Sequence, residues 1–362
     1  MTSIRHTRGA RLAALTVTGL ALATAVSACS SQAPSTASAT SRMSERITST
    51  IKPTIKPTAT ATATKAPTAG TGAETPQQAA AEVAKVLAAQ AAAAAKPGTS
   101  GKALREAAYV DKALAAATAA GKLVGTLTAE QKADLALSPN DPVILAVSRT
   151  AAYPRVILAK ASLAGSGAPV ILTVTSSAAG AGYRIASVAR LLPSAVIGKF
   201  DGVTAGSPPI GDPAGLAVAP EALLAAYAAA LAYPAPAAAD EPFAEDAYLT
   251  AVRKSAAEQA KALGTGVTLK QTHTPAGIIA GLRAASGEGA YVVAVIERKD
   301  NFTEKTANAL TPPKAFTILS GKTVVDKTAV LRAYEFVVVH IPASGKATVV
   351  AAADQLYAAS GS

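Results

Sequence analysis

The stretch D-G-V-T-A-G-S-P-P-I-G-D-P-A-G-L-A-V-A, residues 201–219, decides how the chain divides. It contains Gly202, Gly206, Pro208, Pro209, Gly211, Pro213 and Gly215. Glycine loosens the backbone and proline removes a hydrogen-bond donor, so this density reads as a linker or a long connection. On either side the same plan recurs, helices first and strands after. The pattern predicts an α+β protein of two tandem modules, 76–200 and 220–362, joined by a linker over 201–219.

Upstream of the break, Thr75-Pro76-Gln77-Gln78 has the features of a helix start: a threonine cap, proline in the first turn and glutamine at the capping-box position. The helix should run to about Ala95 and stop before Pro97-Gly98, with Val83, Val86, Leu87 and Gln90 on one stripe. A second helical stretch covers about 102–120. Strands follow at 143–148, 155–162, 170–175 and 183–192, separated by turns with Gly or Pro. Val170, Leu172 and Val174 alternate with Ile171, Thr173 and Thr175, which suits an antiparallel strand covered on one face. Downstream of the break, one helix is expected over 220–232. A second follows P-F-A-E-D-A-Y-L and ends at Gly264. The best strands are 291–298, 332–341 and 348–353.

The N-terminus carries an address. Arg5, Arg8 and Arg11 form a basic region, residues 12–28 are uncharged and mostly apolar or small, and Val26-Ser27-Ala28-Cys29 follows. That is the pattern of a signal peptide (1–28) ending in a lipobox: an aliphatic residue, small residues, then a thiol able to carry a thioether-linked diacylglycerol. A plain signal peptide or a single N-terminal span is the competing reading, although the stretch is short for a span of about 20 residues. Cys29 is the only cysteine, so no intrachain disulfide is available. Residues 29–75 are Ser, Thr, Ala and Pro, with I-K-P-T at 51–54 and again at 55–58. Such a composition cannot bury enough apolar surface to offset chain entropy, and it predicts a disordered tether.

Lys and Arg exceed Asp and Glu by 11, and cleavage before Cys29 would remove three arginines and no acid, lowering +11 to +8. That charge is dispersed, and with export it argues against nucleic acid as a partner. A basic stalk beside anionic headgroups is the simpler use for it. Hydrophobic residues are 50% but aromatics only 4%, with no Trp. Alanine makes up the difference, so stability must come from the Val, Ile and Leu strands.

Four segments carry a family resemblance: Y-P-R-V-I-L-A-K-A (153–161), G-Y-R-I-A-S-V-A-R-L-L-P (182–193), A-P-E-A-L-L-A-A-Y-A-A-A-L (219–231) and P-F-A-E-D-A-Y-L (242–249). Together they resemble a family of uncharacterised actinobacterial lipoproteins. F-A-E-D-A, with a helix before it and strands after, also resembles the nuclear transport factor 2 (cystatin-like) fold. That resemblance implies modules in which a curved antiparallel sheet wraps helices into a cone. Aromatic residues are commoner at the matching family positions than in this chain. The resemblance implies fold and address, and no activity.

Motifs of chemistry are sparse. HExxH, CxxC and GxSxG are absent. S-G-K-T at 320–323 lacks the first glycine of a phosphate loop, since that position is Phe316. His273 lies in a polar, turn-like Q-T-H-T-P. His340 shares a strand face with Tyr334, Phe336 and Val338, which makes Tyr334 and His340 weak pocket candidates. Glu335 follows Tyr334 but must point to the opposite face. Glu245 and Asp246 open a helix, where acids complement the macrodipole. No catalytic residue, metal ligand or cofactor is assigned. The expectation is a lipid-anchored extracytoplasmic protein at the cell membrane that binds a small molecule, an envelope polymer or a protein. An enzyme with a pocket inside one cone is the alternative.

Overall fold

A computed structural model describes residues 71–140, 142–149, 152–237, 239–305 and 312–362. In chain order the elements are α1 (Pro76–Ala95), α2 (Lys102–Ala108), α3 (Asp111–Leu123), α4 (Ala129–Ala133), β1 (Val143–Val147), β2 (Arg155–Ser162), β3 (Pro169–Ser176) and β4 (Arg184–Leu191). Then come α5 (Pro220–Ala230), α6 (Ala247–Leu263), β5 (Val267–Arg283), β6 (Ala290–Glu304), α7 (Lys314–Ser320), β7 (Thr328–Ile341) and β8 (Thr348–Gly361). The class is α+β, and every strand pairing is antiparallel.

The α1 capping box forms in full: Gln78 N–H donates to Thr75 Oγ1 at 3.2 Å, and Thr75 N–H donates to Gln78 Oε1 at 2.9 Å. The helix buries Val83, Val86 and Leu87 against Ile157, Leu172 and Ile185 of the first meander. Gln90, on the same stripe, ties α1 to the segment after α4, donating to Leu135 O at 2.7 Å and accepting from Leu137 N–H at 2.8 Å. The body begins before α1. Gly72 N–H donates to Thr204 O, Ala73 N–H to Ser148 O, and Glu74 pairs with Arg155 at 3.2 Å. These residues had been expected within the tether.

The two helix-then-strand halves are present in order, but their strands do not form separate sheets. All eight make one sheet, in the order β1-β2-β3-β4-β8-β7-β6-β5. The join is short: Arg190 pairs with Ala352 and Leu191 with Ala351, extended by Leu192 N–H donating to Val350 O. By itself the sheet is open, with β1 and β5 as edges. The 201–219 segment reaches both. Ser207 N–H donates to Val147 O and Arg149 N–H to Ser207 O, each at 2.7 Å. On the other side Arg283 N–H donates to Pro208 O at 2.8 Å and Ile210 N–H to Gly281 O at 3.0 Å. The segment expected as a linker between modules is thus a strap across the sheet's two edges. Its prolines fit that role. Toward the two strand edges the strap donates from Ser207 and Ile210, so Pro208 and Pro209 sit where no N–H is required. Arg149 fastens it further, donating from Nε to the carbonyls of Ala205 and Gly206 and pairing with Asp201 at 2.8 Å.

Strand alternation then gives the halves a common interior. One apolar cluster draws on every strand, from Ala146 on β1 to Leu282 on β5, with Leu158, Phe336 and Val350 between, and takes in Ala113 and Ala116 of α3. Bulges at 144/146, 173/174, 275/277 and 278/280 supply the twist that lets a long sheet curl. On the opposite face of β6–β8, α5 and α6 cover Val292, Val337 and Val349 with Leu223, Tyr227 and Leu249. Asp246 is the α6 N-cap, accepting from Tyr248 N–H at 2.8 Å and Leu249 N–H at 2.9 Å. No helix among the described residues is long and apolar enough to cross a membrane.

Candidate functional site

The densest chemistry lies under α5 and α6, where the apolar face of β5–β8 turns polar. Register places His273 opposite Arg298, Gln271 opposite Asp300 and Glu335 opposite Asp354. The period of two puts Arg298 and Asp300 on one face with Ile296, and Glu335 on one face with Val337. Glu335 is the hub. Its Oε2 lies 2.8 Å from His273 Nδ1, and its Oε1 accepts from Tyr248 O–H at 2.9 Å and stands 3.7 Å from Arg298 Nη1. Arg298 Nη1 also donates to Asp354 at 3.0 Å, and its Nε is 3.2 Å from Asp300 Oδ1. Glu335 is 0% exposed, Asp300 1% and Arg298 2%. Only the Asp354 side chain reaches water, at 23%.

Burial raises the Glu335 carboxyl, but the His273 hydrogen bond and charge, Arg298 and Tyr248 outweigh it and hold the group below its ordinary value. Burial pushes Asp300 and Asp354 up, and Arg298 offsets only part of that. Arg298 is itself lowered by burial, which its surrounding carboxylates more than reverse. One guanidinium therefore serves three carboxylates. Arg298 Nη2, His273 Nε2 and Gln271 Oε1 remain buried without hydrogen-bond partners among the described residues.

An imidazole–carboxylate pair with a phenol and an arginine is a set of groups suited to proton transfer. Here those groups are enclosed, the His273 and Glu335 side chains being wholly shut off from solvent. Elsewhere under α5, Tyr227, Phe243, Val292 and Val349 enclose a separate space of about 10 Å³, enough for one water at most. A second cavity, about 50 Å³, lies in the helical layer of the first half. The buried network holds β5, β6, β7, β8 and α6 in register. Removing one partner would leave the others charged and unpaired, which is how such networks enforce a single arrangement.

The pKa directions set a pH dependence. Glu335 is depressed, so its contribution to stability is present above the ordinary Glu value of about 4.3 and is lost as pH falls through its folded value. Asp300 and Asp354 are raised, as is Asp246. Their ionisation opposes folding, and stability increases as they take up protons above the ordinary Asp value of about 3.9. Urea midpoints measured from pH 7 downward should show a stabilising contribution on mild acidification that Asp354→Asn removes, followed by a loss at lower pH. Identical midpoint profiles for the wild type and Asp354→Asn would contradict this.

The residues singled out from the sequence lie elsewhere. Tyr334 stacks on Tyr357 with centroids 4.0 Å apart, and Tyr357 donates to Glu297, which also pairs with Arg332. His340 stacks on Tyr291 at 4.8 Å, and its Nε2 lies 2.9 Å from Glu288 O. Tyr334 and His340 do share a strand face, but six residues of strand separate them by roughly 20 Å. Val26, Ser27, Ala28 and Cys29 lie outside the described residues. Glu335 does face away from Tyr334, toward the network. His273, expected in a turn, sits on β5 with its side chain fully enclosed. Arg298, Asp300, Asp354 and Tyr248 went unnoticed. The available signal was the alternation V-T-L-K-Q-T-H, with Val267, Leu269, Gln271 and His273 all inward. Among the described residues no group of three or more His, Cys, Asp or Glu is arranged to hold a metal ion.

No family model, curated protein or solved structure matches the chain.

Proposed function

We propose that the chain is a lipid-anchored protein of the extracytoplasmic membrane face whose folded body binds or scaffolds rather than catalyses. The observation that carries the address is V-S-A-C at 26–29, following a basic region and an uncharged stretch, with Cys29 the sole cysteine of 362 residues. The four segments resembling actinobacterial lipoproteins support it. The binding or scaffold role is supported by the enclosure of the His273–Glu335 network, whose proton-transfer groups are shut off from solvent. The recurrence of helices followed by a four-strand meander supports reading the body as two fused cone-like modules.

The tether expected from composition upstream of the body would hold it off the bilayer. Cys29→Ser is the test of address. The wild type should fractionate with membranes, and its first peptide should begin at Cys29 with the mass of a diacylglycerol adduct. The variant should lose the adduct and leave the membrane fraction after cleavage. Retention of Cys29→Ser at the wild-type level, or an unmodified Cys29 in the wild type, would overturn lipid anchoring.

A further inference from the structure

We propose that the helical layer of the first half carries a binding site for a small carboxylate, held by Arg105 and Tyr109. This gives the binding reading a ligand class and rests on it. Arg105 on α2 is 5% exposed. Its Nη2 donates to Gly98 O at 2.5 Å and its Nη1 contacts Lys96 O at 3.5 Å, both just beyond the end of α1. A helix C-terminus supplies about half a negative charge, which neutralises only part of a guanidinium. Among the described residues no Asp or Glu pairs with Arg105, and its Nε has no partner. A buried cation in that condition is costly unless an anion joins it.

The slot is built for this side chain. A Cβ on Gly121 would stand 3.1 Å from Nη1, and one on Gly101 would stand 2.9 Å from it and collide with Lys96 O. Two glycines therefore leave the room that the guanidinium occupies. One turn along, the Tyr109 oxygen accepts from Gln90 Nε2 at 3.1 Å, and its own hydroxyl proton has no acceptor among the described residues. Arg105 and Tyr109 line the same cavity of about 50 Å³. One water needs about 10–15 Å³ on the same measure, so several heavy atoms fit. The remaining walls are apolar, with Ala93, Ala117, Ala120 and Leu135 among them. One fixed cation and the free Tyr109 hydroxyl match a small monoanion, and the alanine walls favour a short alkyl group behind it. The carboxylate is either free or the end of a larger molecule.

The test uses the full-length protein in detergent. Propionate, N-acetyl-D-alanine and the neutral isostere propionamide are titrated calorimetrically at fixed ionic strength, with amide shifts followed at Gly98, Gly101 and Gly121. Propionate binding alone, or both acids binding, identifies a free-acid site; N-acetyl-D-alanine alone identifies an end-group site. In each case propionamide should not bind. Ala117→Leu, which fills the cavity and leaves Arg105 in place, should weaken binding at least about tenfold. Tyr109→Phe should weaken it about two- to tenfold, as loss of one hydrogen bond does. Neither acid binding, propionamide binding as well as propionate, or acid binding unchanged in Ala117→Leu would each overturn the site. An unmodified Cys29 would instead remove the membrane address and leave this site standing.

Discussion

Glu335→Ala should lower the unfolding free energy by about 3–5 kcal/mol, the cost of removing one partner from a buried ionic network. The substitution leaves Arg298 against Asp300 and Asp354 alone, and removes the acceptor of Tyr248 and the partner of His273. In a body of this size the melting temperature should fall by roughly 6–20 °C. The control replaces the arginine and its three carboxylates together by apolar residues, Arg298→Met with Glu335→Leu, Asp300→Leu and Asp354→Leu. That variant should be less destabilised than Glu335→Ala, because it leaves fewer uncompensated charges. Thermal and urea unfolding of both variants decide the matter. A loss below about 1 kcal/mol for Glu335→Ala would mean that the hub contributes little.

Gly206→Val should be the second large loss. Gly206 has φ +67°, a conformation that β-branched residues rarely adopt. A Cβ there would lie 2.6 Å from Gly72 Cα and 3.0 Å from Arg149 Cα, both backbone atoms that cannot swing aside. Strained backbone alone costs about 1–3 kcal/mol. Displacing the strap would add to that by breaking the bonds between Ser207 and its neighbours Val147 and Arg149. Gly202→Ala and Gly211→Ala, where a Cβ meets nothing within 4 Å, should stay within about 0.5 kcal/mol of wild type. Equal stabilities across these variants would show the strap to be loosely held.

Much of the local structure was legible from pattern alone. The bounds of α1 and β2 agree with the periodicity reading, and β1, β3 and β4 lie within one residue of it. Those elements carry strong caps or runs of Val, Ile and Leu. β5 was missed because Gln271 and His273 occupy two inward positions and Q-T-H-T-P, ending at Pro275, reads as a turn. Proline is tolerated there because β5 is an edge strand and bulges at that point. That Glu245 and Asp246 open a helix was legible, and the structure makes Asp246 its N-cap. The partnership of Glu335 with His273, 62 residues apart, was not legible. Alternation shows which face a side chain takes, but not what meets it there. The strap was read from composition as a break. Gly and Pro do end regular structure, but four backbone hydrogen bonds hold this segment to two strand edges without requiring either proline to donate. That difference turns two expected modules into halves of one sheet with a common interior.

Native-state hydrogen exchange on the full-length protein tests that common interior most directly. The amides of Ser207 and Ile210 in the strap, and of Arg149 and Arg283 that donate to it, should exchange only with the same opening that exposes Leu192 at the β4–β8 join. Exchange of Ser207 and Ile210 at the rate of unprotected amides, while Leu192 stays protected, would contradict it.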